Sequence, residues 1–223
     1  MKRQLAFDLP AAPALTRQDF FVSPANAPAL AALDGWRDWP GGKMIVAGPS
    51  GAGKTHLAQI WATEAGAAVV TGASLGRADL PALIARGAVA LEDAEAVAGH
   101  PAAEVALFHL HNLATEARAS LLLTAACPPR DWGLALPDLA SRMQAMALTR
   151  LEAPDDALLA AVLVKLFADR QVVVAPTLIP YLIARMERSL KAARALVARL
   201  DAQALAEGRP ITRQLASALL DRD

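Results

Sequence analysis

Apolar residues follow two different rhythms along this chain. Up to residue 151, short and mostly apolar runs at 43–47, 67–71, 88–92, 120–124 and 146–151 alternate with helical spacing at 54–65, 78–86 and 102–117. Runs of that length and continuity suit strands buried on both faces, and strand–helix alternation is what builds a parallel sheet. The pattern therefore predicts an α/β domain with a five-stranded parallel sheet. Past Pro154 only the helical rhythm survives, over 155–169, 176–187, 190–207 with Gly208 closing the helix, and 212–220 with Thr212 as its N-cap. The expected organisation is an N-terminal segment over 1–18, the α/β domain over 19–153 and a small all-helical lid over 154–223. Residues 8–28, rich in Pro and Ala, are expected to run irregularly over the surface.

The first strand–helix junction reads Gly48-Pro49-Ser50-Gly51-Ala52-Gly53-Lys54-Thr55, a full match to the phosphate-loop pattern G-x-x-x-x-G-K-[ST]. Glycines let backbone N–H groups turn onto phosphate oxygens, Lys54 brings an ammonium to the β and γ phosphates, and Thr55 offers a hydroxyl to Mg²⁺. The context is the required one: an apolar strand precedes the loop, and a helix follows it and ends at Gly66. Gly48, Gly51, Ala52, Gly53, Lys54, Thr55 and His56 are thus the candidate nucleotide contacts. A second acidic element is needed beside the loop, and the run Val89-Ala90-Leu91-Glu92-Asp93 supplies it. Glu92 is the candidate Mg²⁺ ligand together with Thr55, and Asp93 the candidate to orient water. Glu92 is one methylene longer than the usual Asp, so an altered metal geometry is expected. Two solvated acids opening a loop would give the same pattern.

Composition narrows the remaining classes. A chain of 223 residues that is 55% apolar can bury a core of its own. Its 22 basic and 22 acidic side chains cancel, which removes any bulk drive toward nucleic acid while leaving room for a local basic patch. The apolar run 157–164 is cut by Lys165, well short of the ~18 residues that a membrane span needs. Asp8 and Pro10 interrupt any signal-peptide core. A cytoplasmic protein without membrane contact is expected, and the single cysteine, Cys127, agrees with a reducing compartment. Of the four histidines, His109 and His111 lie two apart and cannot share a helix face, so His56, His100, His109 and His111 are assigned no metal. Neither a Ser/His/Asp nor a Cys/His set is apparent.

The run Leu121-Leu122-Leu123-Thr124-Ala125-Ala126-Cys127-Pro128-Pro129-Arg130, followed by Leu136-Pro137-Asp138-Leu139-Ala140-Ser141-Arg142, resembles the AAA+ module of the bacterial replication initiator family, DnaA. Within that family it is most similar to the Hda group, short homologues that switch the initiator off. The likeness runs from about residue 4 to the end of the chain. It implies an AAA+ P-loop NTPase module followed by the helical lid. Val22, in the segment Asp19-Phe20-Phe21-Val22-Ser23-Pro24-Ala25-Asn26, would lie against adenine, although core packing by Phe20 and Phe21 explains the same residues.

The resemblance makes Arg142 an arginine finger acting in trans, on nucleotide held by a neighbouring AAA+ molecule. Its planar, permanent charge suits the γ-phosphoryl group. A surface Arg near a helix C-terminus is the plainer reading. Lys191 falls where the lid usually supplies an Arg that senses phosphates, and Ala126 where the family carries a polar acid, which leaves Thr124 as the nearby hydroxyl. Glu92, Ala126 and Lys191 together imply weak or absent intrinsic hydrolysis and a site that holds ADP in preference to ATP. Gln4-Leu5-Ala6-Phe7-Asp8-Leu9 resembles the peptide by which Hda and other replication proteins bind the DNA polymerase sliding clamp. Phe7 and Leu9 share one side of an extended peptide, while Leu5 adds apolar surface and Gln4 a polar amide; packing of these residues on the parent domain is the alternative.

The expected partners are DnaA and the sliding clamp. With Asp223 directly after the lid, no helix-turn-helix follows in this chain, so direct sequence-specific DNA binding is not expected; a homo-oligomer stays open. The competing class is an autonomous AAA+ ATPase that loads or remodels a replication protein. A P-loop kinase leaves the 136–142 segment and the terminal peptide unexplained.

Overall fold

The computed structural model describes residues 15–220. The terminal peptide with Gln4, Leu5, Phe7 and Leu9 lies outside the described residues. All five expected strands form: β1 (Lys43–Ala47), β2 (Ala68–Thr71), β3 (Ala88–Glu92), β4 (Ser120–Ala125) and β5 (Ala147–Arg150). They pair in parallel in the order β2-β3-β4-β1-β5. Ile45, Val89, Leu91, Leu121 and Leu123 enter one apolar layer, and Met44, Val46, Ala88, Ala90 and Leu122 enter the other. Because both layers are buried, the central strands β1, β3 and β4 read as nearly unbroken apolar runs, whereas the edge strands β2 and β5 alternate partly buried and exposed residues.

Helices α1 (Ala27–Asp34) and α2 (Lys54–Ala65) cover one face. There Trp39 stacks on Trp61 with ring centroids 5.4 Å apart and donates its indole N–H to the carbonyl of Ala32 at 2.7 Å. The other face is covered by α3 (Gly72–Leu75), α4 (Leu80–Ile84), α5 (Pro101–Glu116) and α6 (Pro137–Ala145). Four of these helices depart from expectation, the short α3 among them having no counterpart in the sequence pattern. α1 begins inside the Pro- and Ala-rich stretch expected to be irregular, with Pro28 in its first turn, where a missing N–H is no loss. α6 carries only Leu139 and Met143 buried, one i, i+4 pair, which is too little periodicity to announce a helix. The helix expected over 78–86 shrinks to α4, started by Asp79, whose carboxylate accepts the N–H of Ala82.

The lid contains α7 (Asp156–Asp169), α8 (Leu178–Ile183), α9 (Leu190–Glu207) and α10 (Arg213–Leu220). α8 is half the length expected, because the chain turns through residues 184–188 before Ser189 starts α9. Asp155, Ser189 and Thr212 cap α7, α9 and α10, accepting the N–H groups of Leu158, Ala192 and Leu215. The lid has its own apolar cluster, with Leu163, Phe167, Leu182, Val197, Leu200 and Leu215 at its centre. Among the described residues no helix is long and apolar enough to cross a membrane.

Candidate nucleotide-binding site

β1 lies between β4 and β5, and the glycine loop leaves its C-terminal end, the position at which open α/β sheets bind ligands. Two glycines of the motif have separate structural reasons. A Cβ on Gly48 would stand 2.2 Å from the carbonyl oxygen of Leu151, so the chain passes the end of β5 too closely for any side chain. Gly51 adopts a left-handed φ of +73°, and a Cβ there would stand 1.9 Å from Ser189 Oγ. Its carbonyl accepts the N–H of Leu190 at 2.8 Å. Lys54 is buried, with Nζ donating to the carbonyls of Gly48 at 2.8 Å and Pro49 at 3.1 Å. Thr55 is exposed in the first turn of α2.

The acids beside the loop are arranged differently from the sequence expectation. Asp93 takes a left-handed conformation, φ 50°, directly after β3, and its N–H donates to the buried Thr124 hydroxyl at 3.2 Å. It lines a cavity of about 340 Å³ together with Ser50, Gly51, Gly53, Lys54, Thr55 and Lys191. Glu92, proposed from sequence as the metal ligand, ends the strand half-buried and is not part of that wall. The left-handed turn at Asp93 changes the chain's direction, and the second carboxylate reaches the cavity instead of the first. Position 126 lacks an acid of its own, yet Glu95 places one there: its Oε1 accepts the Ala126 N–H at 2.8 Å.

A second cavity, of about 310 Å³, adjoins the first, and Leu15, His56, Leu190 and Arg194 line both. Phe20, Leu158, Val162 and Leu166 give it an apolar wall. His56 is buried, donates Nε2–H to the Thr16 carbonyl at 2.9 Å and meets Phe20 edge-on with ring centroids 5.1 Å apart. Burial is the main cause that holds its pKa below the ordinary imidazole value, and the charge of Arg194 adds to it. Val22, assigned to adenine from sequence, is 50% exposed and lines neither cavity; Phe20 and Phe21 line the apolar one. Two other residues were missed. Lys165 on α7 bridges Asp19 and Asp169, each at 3.1 Å, closing one side of the apolar cavity. Arg194 sits three residues beyond Lys191 on α9, and that i, i+3 spacing was the available signal.

Arg142 lies far from this cavity. It is exposed in the last turn of α6, with its guanidinium carbon 4.9 Å from the centroid of the Phe108 ring. No carboxylate among the described residues pairs with it. Its charge acts on Lys43, the first residue of β1, and on His111. The glycine loop leaves the other end of β1, roughly 13 Å away at ~3.3 Å per residue. The start of α6 is held by Glu104, whose buried carboxylate accepts N–H groups from Gly99, Ala135 and Leu136 at 2.9 to 3.2 Å.

A five-stranded parallel sheet in this order, with a phosphate loop after β1 and a helical lid behind it, is the AAA+ fold. It is similar to domain III of the Thermotoga maritima replication initiation protein DnaA, at 20% identity and a TM-score of 0.77, over 94% of this chain and 97% of that one. AMPPCP-bound DnaA from Aquifex aeolicus matches at 17% identity and a TM-score of 0.70, over 85% of this chain and 65% of that one. A replication initiator DnaA bound to AMPPCP and single-stranded DNA matches at 16% identity and 0.67, again over 85% and 65%. The chain thus spans just under two thirds of these last two proteins. No protein-family model matches it.

Proposed function

We propose that this chain is a nucleotide-holding AAA+ regulator of replication initiation, of the Hda kind, which stimulates ATP hydrolysis by DnaA in trans. The donors fit a polyphosphate: a glycine loop at a helix start, the Lys54 ammonium, and Thr55 opposite Asp93 as a pair of oxygen ligands suited to Mg²⁺. Bound Mg²⁺ would neutralise phosphate charge. Lys191 in place of a bidentate Arg supports a preference for ADP.

The observation that carries the reading is the placement of Arg142: exposed, free of carboxylate partners among the described residues, and at the opposite end of β1 from its own phosphate loop. A guanidinium so placed stands away from this chain's own phosphate loop and is available to nucleotide held by another molecule. Arginine fingers of this kind raise phosphoryl-transfer rates by about 10³- to 10⁵-fold. The test is ATP turnover in a mixture of DnaA, sliding clamp and DNA, in which Arg142→Ala is expected to abolish the stimulation; unchanged turnover refutes the role. Docking on the clamp is assigned to Gln4, Leu5, Phe7 and Leu9, so deletion of residues 4–9 is expected to abolish clamp binding and leave nucleotide affinity intact. One observation favours the alternative of an autonomous ATPase: Asp93 faces the same cavity as Lys54 and Thr55. Steady ATP turnover by the purified protein alone would decide for it.

A further inference from the structure

The two cavities meet at a wall in which Arg194 is, among the described residues, the only Lys or Arg shared by both. A nucleotide with its base in the apolar cavity and its terminal phosphates on the glycine loop must pass its sugar and first phosphate through that wall. We propose that Arg194 binds the α-phosphate there, so that the site recognises nucleoside 5′-phosphates whether or not a γ-phosphoryl group is present. This rests on the nucleotide-binding reading above and names a contact within it.

Three observations support the assignment. Arg194 is partly buried on the cavity wall and no hydrogen bond or ion pair joins it to any described residue, so its guanidinium is available to an anion that enters the cavity. Two of the three acids on the cavity walls are committed elsewhere, since Asp19 and Asp169 both hold Lys165 at 3.1 Å; the third, Asp93, lines the phosphate cavity and forms no ion pair with Arg194. Finally, Lys54, Thr55 and Lys191 line the phosphate cavity alone, so they are placed for phosphates farther from the sugar, which leaves the α-phosphate to Arg194. A planar guanidinium can donate to two phosphate oxygens side by side, a geometry that Lys191 cannot reproduce.

The experiment is calorimetric titration of the wild type, Arg194→Ala, Arg194→Lys and Lys54→Ala with ADP, AMP and adenosine, adenosine being read by competition. Arg194→Ala is expected to weaken AMP and ADP by the same factor, about tenfold to a hundredfold, the scale of a lost charge-assisted hydrogen bond, and to leave adenosine unchanged. Arg194→Lys is expected to recover part of the loss, and Lys54→Ala to weaken ADP while sparing AMP. A loss that extends equally to adenosine would assign Arg194 to the base and overturn the proposal, as would a loss confined to ADP, or none. A wild type that binds none of the three ligands overturns the nucleotide reading itself, an outcome distinct from failure of the Arg194 contact alone. Unliganded melting curves that match the wild type exclude misfolding of the Ala variant, and the Lys variant carries the test if they do not.

Discussion

The N–H of Leu190 donates to the carbonyl of Gly51 at 2.8 Å, so the first turn of α9 rests directly on the phosphate loop. Ser189, the cap of α9, fills the space where a Gly51 side chain would stand. Loop and lid are therefore in direct contact at Gly51.

Gly51→Ala strikes this contact twice, through its left-handed φ and through the clash with Ser189. It is expected to cost about 1–3 kcal/mol, read as a lower thermal midpoint, and to weaken ADP binding at least tenfold. Wild-type melting together with wild-type affinity would show the lid contact to be dispensable.

Asp93, rather than Glu92, shares the phosphate cavity with Thr55. Asp93→Asn is accordingly expected to remove most of the Mg²⁺ dependence of nucleotide affinity, whereas Glu92→Gln leaves it near wild type. Titrations with and without Mg²⁺ read the difference, and the reverse ranking would restore the sequence-based assignment.

Glu104 links stability to the presentation of Arg142. Burial pushes its carboxyl up, but N–H donors from Leu136, Ala135 and Gly99 outweigh that and hold it below its ordinary value of 4.5. A carboxyl depressed in the folded state stabilises above its unfolded pKa, and that contribution is lost as pH falls through the folded value. Glu104→Ala removes the charged acceptor of three N–H groups and is expected to cost about 2 kcal/mol, with a weaker acid dependence of unfolding below pH 4.5. Chemical denaturation across pH measures both.

His111 carries the opposite charge logic. Burial, then the charges of Lys43 and Arg142, push its pKa from 6.5 down to about 4. The folded ring stays neutral while the unfolded one takes up a proton, so its contribution is present above pH 6.5 and lost as the pH falls toward 4. By NMR the wild-type ring is expected to titrate near 4, and Arg142→Ala to raise that midpoint by removing one repelling charge. A midpoint indifferent to Arg142 would separate the two groups.

Strands were the most legible elements, because a strand buried on both faces leaves a short apolar run bounded by turn residues. β1 and β3 fall at the expected residues, and α2 and α9 carry their ends in Gly66 and Gly208, both left-handed. α1 and α6 were illegible for a common reason: short helices packed by a few residues carry little period, and their Pro residues read as breakers until the first turn is seen.

The sequence by itself determined the phosphate loop, the parallel α/β sheet and the change to an all-helical lid, since each is written in local spacing and in the conformational needs of single residues. Only the tertiary structure decided which carboxylate lines the cavity with the loop, that Glu95 accepts the Ala126 N–H, that Arg194 lines both cavities, and that Arg142 lies at the far end of β1. Those outcomes depend on a left-handed turn at Asp93, on how the lid seats against Gly51, and on strand order. Such relationships join residues far apart in the chain, and no local pattern encodes the distance between them.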